Sequence, residues 1–305
     1  MVDTSGMLLR KRARRKQAAR AAATRAESAP PDAVPPPAAE STPAPAPEPP
    51  PAPATEPTPT PTLATPRTRR TWREAGPLLV LRAAHPQQAV LTAAGVAASA
   101  ALVGRPTREL GLVFATVLVG QAMVGWHNDL VDRARDAANE TPRKPVAEGL
   151  LEPGTLWFAI ACAALLVVPL SIANGVTAGS AYLAILVVSL IGNVVFRKGW
   201  LSWLTWAVSY GLYPAFLSYG GWGGAAFGDP PEIAITALAA LLGVCVHVLR
   251  ALPGLVADNR NGLRHLPLRL ALRIGAPRLL WITIALTALV VAALLVTGNR
   301  VGLAQ

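Results

Sequence analysis

The sequence predicts an all-α membrane protein, in which a helical bundle of about seven spans follows a disordered N-terminal arm. The 305 residues include 52% hydrophobic side chains. Only 15% are charged, whereas an ordinary soluble domain carries about 25% charged residues. The apolar residues form long runs after residue 75, while 16 of the 29 prolines fall between Pro30 and Pro66. Both cysteines lie inside apolar runs, which excludes a disulfide-linked secreted scaffold.

The arm, residues 1–74, is polar, basic and rich in proline and alanine, and residues 75–305 form the predicted membrane domain. Residues 1–73 hold 12 Lys and Arg against 6 Asp and Glu, a net charge of +6, concentrated in the basic run 10–16. Such a run binds nucleic acid or anionic lipid. Because a membrane domain follows it, we expect membrane lipid or plain solvent as its partner and no nucleic acid.

Seven apolar stretches are long enough to cross a bilayer, which takes roughly 20 apolar residues in a helix. The first stretch is interrupted in its cytoplasmic half by Arg82, His85 and Pro86. The seven stretches lie at about 78–103, 108–127, 154–173, 177–196, 200–221, 232–253 and 277–297.

Basic residues are distributed unequally between alternate connections, and this bias predicts the orientation of the bundle. With the arm in the cytoplasm, the outer connections and the C-terminus hold only Arg105, Arg108 and Arg300. We therefore predict a multi-pass protein of the cell membrane with a cytoplasmic N-terminus and with its chemistry on the cytoplasmic face. The basic residues of the inner connections are Arg133, Arg135, Arg143, Lys144, Arg197, Lys198, Arg260, Arg264, Arg269 and Arg273.

A carboxylate-rich run, Asn-Asp-Leu-Val-Asp-Arg-Ala-Arg-Asp, directly follows the second apolar stretch. If the helix continues through this run, Asn128, Asp132 and Asp136 lie on one face and Asp129 joins them. Mg²⁺ binds such oxygen ligands together with water and substrate phosphate. The run therefore predicts a site for Mg²⁺ and a phosphorylated substrate.

Two cations downstream, Arg143 and Lys144, support this prediction. They suit the outer oxygens of a phosphate that the metal holds. The alternative is a solvated loop in which the acids and bases of the run pair locally.

The same run resembles the first aspartate signature of the UbiA-type intramembrane prenyltransferases, N-D-x-x-D-x-x-x-D at the end of the second helix. The match is complete at Asn128, Asp129, Asp132 and Asp136. The similarity extends over about 78–275, nearly all of the membrane domain. Further stretches that resemble an actinobacterial-looking branch of the superfamily lie at 81–86, 144–149, 202–216 and 252–267.

The resemblance implies a helical bundle around a cavity, in which two aspartate motifs hold Mg²⁺ and an isoprenoid diphosphate. It implies transfer of a prenyl group to a lipophilic or phosphorylated acceptor at the cytoplasmic face. The catalytic residues would be Asn128, Asp129, Asp132 and Asp136, and the metal ligands Asp129, Asp132, Asp136 and Asp258. The substrate-binding residues would be Arg143, Lys144, Arg197, Lys198, Arg250 and Asp258.

The second motif departs from the pattern of that branch, which reads roughly L-P-D-L-x-D-D. Gly254 and Ala257 stand at two of the three aspartate positions, and only Asp258 is retained. Gly192 stands where the family has a tyrosine, and Arg250 where the branch has a small polar residue. The family usually has nine spans, so seven leave a place for an oligomer or a partner. The alternative function is a catalytically degenerate member that binds lipid or partners another membrane protein.

Several further residues have two interpretations. Arg82 and His85 line the mouth of the expected cavity, or Arg82 extends to the membrane interface. His247 faces the cavity or packs within the bundle. An interfacial aromatic belt accounts for Trp200, Trp203, Trp206 and Trp222.

Overall fold

The computed structural model describes residues 75–221 and 228–300. They lie in the second of the two units into which the chain divides, Ala64–Gln305. The predicted arm and Trp222 lie outside the described residues, which contain helices and no β-strand. The helices are α1 Gly76–Ala83, α2 Pro86–Leu102, α3 Thr107–Ala138, α4 Pro153–Ala173, α5 Val176–Ile191, α6 Ser202–Ser218, α7 Ile233–Ala251, α8 Leu255–Arg260, α9 Leu266–Ile274 and α10 Ala276–Arg300.

Five helical segments of the described chain are long and apolar enough to cross a membrane: Thr107–Ala138, Pro153–Ala173, Val176–Phe196, Ile233–Arg260 and Ala276–Arg300. The other two predicted stretches are occupied by α2 and α6, which have 17 residues each. That length lies at the short end of the range for a spanning helix. The predicted all-α, multi-pass membrane bundle is confirmed.

The surface of this bundle is apolar, as contact with lipid acyl chains requires. Phe158, Leu165, Ile233 and Trp281 are each at least 70% exposed. Exposed apolar side chains on helices of spanning length indicate a membrane-facing surface. The interior includes a cluster to which α2, α3, α4, α5 and α6 all contribute. Consecutive helices pack side by side from α2 to α7, and α10 packs on α7.

The first predicted span is two helices rather than one. The chain bends at His85, where φ is +53°, and Pro86 begins α2. A residue before proline is disfavoured in the α region, and proline at the first helical position loses no hydrogen bond. Gly125 of α3 lets the bend approach, since a methyl group there would lie 2.7 Å from the carbonyl oxygen of Ala84. The bend therefore lies directly against α3.

The second predicted span is one continuous 32-residue helix, α3, which runs through the carboxylate motif to Ala138. This confirms that the helix continues past the apolar stretch. A second apolar cluster, which includes Leu79, Leu130, Val146 and Leu156, joins α1, the end of α3, the following connection and the start of α4. This cluster holds the connection between α3 and α4, which carries Lys144, close to the carboxylate motif.

Candidate active site

The aspartates of the motif are buried at the end of α3. Asp129, Asp132 and Asp136 are 2%, 3% and 5% exposed, respectively. Buried carboxylates are costly unless cations or hydrogen-bond donors compensate their charge. The solvated-loop alternative does not describe them, because each is enclosed and contacts a cation.

Lys144 connects two of these carboxylates. Its Nζ lies 2.5 Å from Asp129 Oδ1 and 3.6 Å from Asp136 Oδ2. The connection between α3 and α4 delivers it, and Thr141 of the same connection donates to Asp136 Oδ1 at 3.3 Å. Lys144 therefore lies at the motif itself, where the sequence predicts a cation for the substrate phosphate. Arg143 differs, because it is exposed and borders an apolar cleft.

Asp132 contacts three polar groups. Arg135 donates to its Oδ2 at 2.7 Å, and the amide of Asn128 donates to the same oxygen at 3.2 Å. Arg197 forms an ion pair with the other oxygen. Burial lowers the pKa of the Arg197 guanidinium, and the charge of Asp258 opposes that shift. The end of α5 thus brings one predicted diphosphate-binding residue to the motif, while its neighbour Lys198 is exposed.

His85 also reaches the motif, from the bend between α1 and α2. Its Nε2 lies 2.8 Å from Asp129 Oδ1 and 3.1 Å from Lys144 Nζ. The sequence suggested a place at the cavity mouth but not this contact. The available signal was a histidine directly before a proline inside an apolar run, where a helix is expected to bend.

The second motif is organised differently. Asp258 lies in α8 and accepts a hydrogen bond from Nε2 of His265 at 3.0 Å. The backbone N–H of Leu268 donates to Nδ1 of His265, so the neutral ring carries its proton on Nε2. Burial of the His265 side chain, which is 6% exposed, holds it in this position. The partner of Asp258 was not foreseen from the sequence.

Gly192, where the resemblance implies a tyrosine, packs closely against α6. A methyl group at 192 would lie 2.8 Å from the hydroxyl of Thr205 on α6. A tyrosine ring would therefore require Thr205 to move. Residues 192–196 form a π-helical turn that leads into Arg197, and such turns often occur at functional sites.

Two cavities meet beside the aspartate motif, where His85 borders both and contacts Asp129. A polar chamber of about 300 Å³ is bordered by Asn128, Asp132, Arg197 and Asp258, together with serines and threonines of α5 and α6. A larger cleft of about 1830 Å³ runs between α2, α6, α7 and α10. The residues that border both are His85, Gln88, Thr92, Tyr210, Tyr213 and Arg250.

Trp206 borders the chamber, which corrects its assignment to an interfacial belt. It stacks on His247 of α7, with ring centroids 5.4 Å apart. His247 in turn lies 3.0 Å from the hydroxyl of Ser202, so it faces the chamber.

No three His, Cys, Asp or Glu residues of the described chain are grouped closely enough to form a ready metal cage. Lys144 and Arg197 instead occupy positions between the carboxylates. Asp129 Oδ2 is buried and has no hydrogen-bond partner among the described residues. A free, buried carboxylate oxygen suits a hard divalent cation.

Comparison with known proteins identifies the class to which this fold and site belong. The model of the UbiA prenyltransferase family matches residues 89–304, and the chain belongs to that family. No curated protein sequence matches the chain significantly.

The fold is similar to solved structures of a UbiA homologue from Archaeoglobus fulgidus. The structure bound to GPP and Mg²⁺ has 17% identity and a TM-score of 0.55, covering 70% of this chain and 76% of that one. The structure bound to DMAPP and Mg²⁺ has 18% identity and a TM-score of 0.54, covering 70% and 75%.

Proposed function

We propose that this chain is a Mg²⁺-dependent prenyltransferase that transfers a prenyl group from an isoprenoid diphosphate to an acceptor at the cytoplasmic face of the cell membrane. The observation that carries this proposal is that Asn128 and Asp132 of the aspartate motif border the polar chamber, which adjoins the apolar cleft. A prenyl diphosphate has a charged head and an apolar tail, and the two cavities suit these two parts.

The residues at the end of α3 offer oxygen ligands for Mg²⁺, which needs only one or two carboxylates beside water and substrate phosphate and no protein cage. Asp129, Asp132 and Asp136 would supply carboxylate oxygens, with Asn128 as an amide ligand or an orienting group. The free oxygen of Asp129 supports this assignment. When bound, Mg²⁺ supplies positive charge that stabilises the leaving diphosphate. The A. fulgidus homologue bound to Mg²⁺ with GPP or DMAPP supports the same metal and donor class.

The cations of the site would hold the diphosphate. Lys144 and Arg197 are already at the motif, and Arg143 and Lys198 are the exposed basic neighbours of these two residues. As the bond from C1 of the prenyl group to the diphosphate oxygen breaks, fixed positive charges stabilise the charge that develops on the leaving group. The apolar cleft would hold the prenyl chain and keep water from the reactive carbon.

The orientation is part of the proposal. The motif, Lys144, Arg197 and Asp258 all belong to the side on which the basic connections lie. The positive-inside bias supports a cytoplasmic position for that side and for the N-terminus. A water-soluble acceptor or diphosphate would then reach the chamber from the cytoplasm, whereas a lipophilic substrate would enter the cleft from the bilayer.

Transfer of labelled prenyl groups by the purified full chain in lipid vesicles tests this function. Prenyl diphosphates of several lengths are each offered with a panel of phenolic and phosphorylated acceptors, with Mg²⁺ or with chelator. We expect a Mg²⁺-dependent product that is lost in Asp132→Ala. Glu152→Gln, which changes an exposed carboxylate outside the motif, serves as the control. Absence of product from every donor and acceptor pair in the wild-type chain would contradict the proposal.

A catalytically degenerate, lipid-binding member is the second candidate. Gly254 and Ala257 favour it because they offer no side-chain oxygen, and Asp258 is bound to His265. The intact first motif and its cations favour turnover instead. Binding of prenyl diphosphate without product formation is the result that distinguishes the second candidate from the first.

A further inference from the structure

Arg250 is a cation of the cavities that lies outside the aspartate network. It is located near the cytoplasmic end of α7 and borders both the chamber and the cleft. Within residues 75–221 and 228–300, no carboxylate forms an ion pair with it. A charged side chain in a membrane helix is costly unless it faces a partner or a cavity. Its position therefore suits an anionic ligand in the cavities.

Aromatic rings support the guanidinium of Arg250. Its central carbon lies 5.3 Å from the centre of the Trp206 ring. Trp206 also stacks with Tyr210, at 6.3 Å between ring centroids. A guanidinium that rests on a ring keeps a planar set of N–H donors, which bind a carboxylate or phosphate through two parallel hydrogen bonds.

The chamber beside Arg250 offers hydrogen bonds to a hydroxylated ligand. The hydroxyls of Ser189 and Ser209 lie 3.2 Å apart, and Gln121 donates to Tyr213 at 3.4 Å. Polar contacts of this kind also join membrane helices. Here all four residues border the chamber, so they are available to a molecule inside it.

We propose that Arg250, supported by Trp206, selects the acceptor by binding the carboxylate or phosphate of a small hydroxylated molecule. This inference rests on the proposed function. C1 of the donor would lie where the chamber meets the cleft, because its diphosphate belongs with the aspartate motif and its chain with the cleft. Arg250 borders the same place, so an acceptor bound there lies next to C1.

The transfer balances as a substitution at C1. The bond from C1 to the diphosphate oxygen breaks, and its electron pair leaves with the diphosphate. A bond from C1 to the nucleophilic oxygen or carbon of the acceptor forms. The proton that the acceptor loses passes to the released diphosphate. Arg250 holds the anionic group of the acceptor throughout and takes no part in bond breaking.

Steady-state kinetics of Arg250→Gln and Arg250→Lys in lipid vesicles test the assignment. Two pairs of acceptors, 4-hydroxybenzoate with 4-hydroxybenzamide and ribose 5-phosphate with ribose, differ in the anionic group. We expect transfer to an anionic member, and a KM for that acceptor that rises about 10- to 100-fold in Arg250→Gln, as loss of a charged hydrogen bond implies. The KM for the donor should change less than about threefold, and lysine should restore only part of the affinity.

Arg108→Gln, at the opposite end of the bundle, is the charge-matched control. An equal rise in the KM of the donor would assign Arg250 to the diphosphate and overturn the inference. Equal transfer to the neutral member of a pair would also overturn it, while leaving the proposed function in place.

Calorimetric binding of the same four compounds keeps the inference testable if no transfer occurs. Wild-type chain should bind an anionic compound, and Arg250→Gln should bind it at least about 10-fold more weakly. Failure of the wild-type chain to bind either anionic compound, or unchanged binding in the variant, would contradict the role of Arg250. Binding lost in the variant, without transfer by the wild type, would contradict only the proposed function.

Discussion

At the end that carries the aspartate motif, α3 continues as a helix with three buried aspartates, whereas α7 ends in a 3-10 turn followed by the short helix α8 with one carboxylate, Asp258. The two regions border the same polar chamber. On the α3 side, carboxylates alternate with the cations Lys144 and Arg197. On the α7 side, a histidine holds the carboxylate and Arg250 lies on an aromatic ring.

One chamber thus has two linings of different charge, which would suit two kinds of ligand. Clustered carboxylates suit a divalent cation, and the cations between them would suit a diphosphate. An arginine without a carboxylate partner suits an anion directly. We expect the two regions to respond differently to equivalent substitutions.

Removing one negative charge from each region should give the largest contrast. Asp132→Asn removes a proposed metal ligand and should lower kcat by about 100-fold or more, because the charge on the leaving group loses its stabilisation. Asp258→Asn should lower kcat by less than about 10-fold, because the amide oxygen still accepts from His265. Single-turnover rates at a saturating donor concentration measure the effect of each substitution. Equal losses of kcat in the two variants would show that both regions hold metal and would contradict the proposed difference between them.

Lys144→Met should separate metal binding from diphosphate binding. Loss of a charge-assisted hydrogen bond should weaken prenyl diphosphate binding by about 10- to 100-fold. Binding of Mn²⁺, measured by electron paramagnetic resonance without diphosphate, should not weaken, because Lys144 no longer competes for Asp129 and Asp136. Lys198→Met is the comparison and should have a smaller effect on diphosphate binding, since Lys198 is exposed. Parallel loss of Mn²⁺ and diphosphate binding would contradict the separate roles.

Gly254→Asp should make the α7 side more like the α3 side, with the smallest effect on rate. A methyl group at 254 would lie 3.4 Å from Asp258 Oδ2, an ordinary contact, so the backbone accepts a side chain there. The added carboxylate should increase Mn²⁺ binding at this side and change kcat by less than about 10-fold. Gly254→Asn controls for size without charge. Unchanged Mn²⁺ binding in both variants would show that a carboxylate alone does not create a metal site there.

Local sequence patterns predicted much of the fold. Runs of apolar residues predicted where the long helices of the described chain lie, because a bilayer requires about 20 such residues per span. The spacing of Asn128, Asp132 and Asp136 predicted one helical face, and α3 does continue through them. Pro86 marks the break in the first span, but the sequence pattern predicts one interrupted span there rather than two helices. The assignment of Trp206 to an interfacial belt was wrong, because a tryptophan near a helix end fits a membrane interface and a cavity wall equally well.

The sequence alone determined where the long apolar helices lie and which residues the first motif places on one helical face. Both depend on hydrophobicity and on the helical period. Tertiary structure decided which charges meet. His85 reaches Asp129 across 44 residues of chain, through a bend that Gly125 admits. Arg197 pairs with Asp132, and Arg250 faces Trp206, only because α5, α6 and α7 pack around α3 and the chamber. Periodicity within one helix carries no information on those distances, since the packing of separate helices sets them.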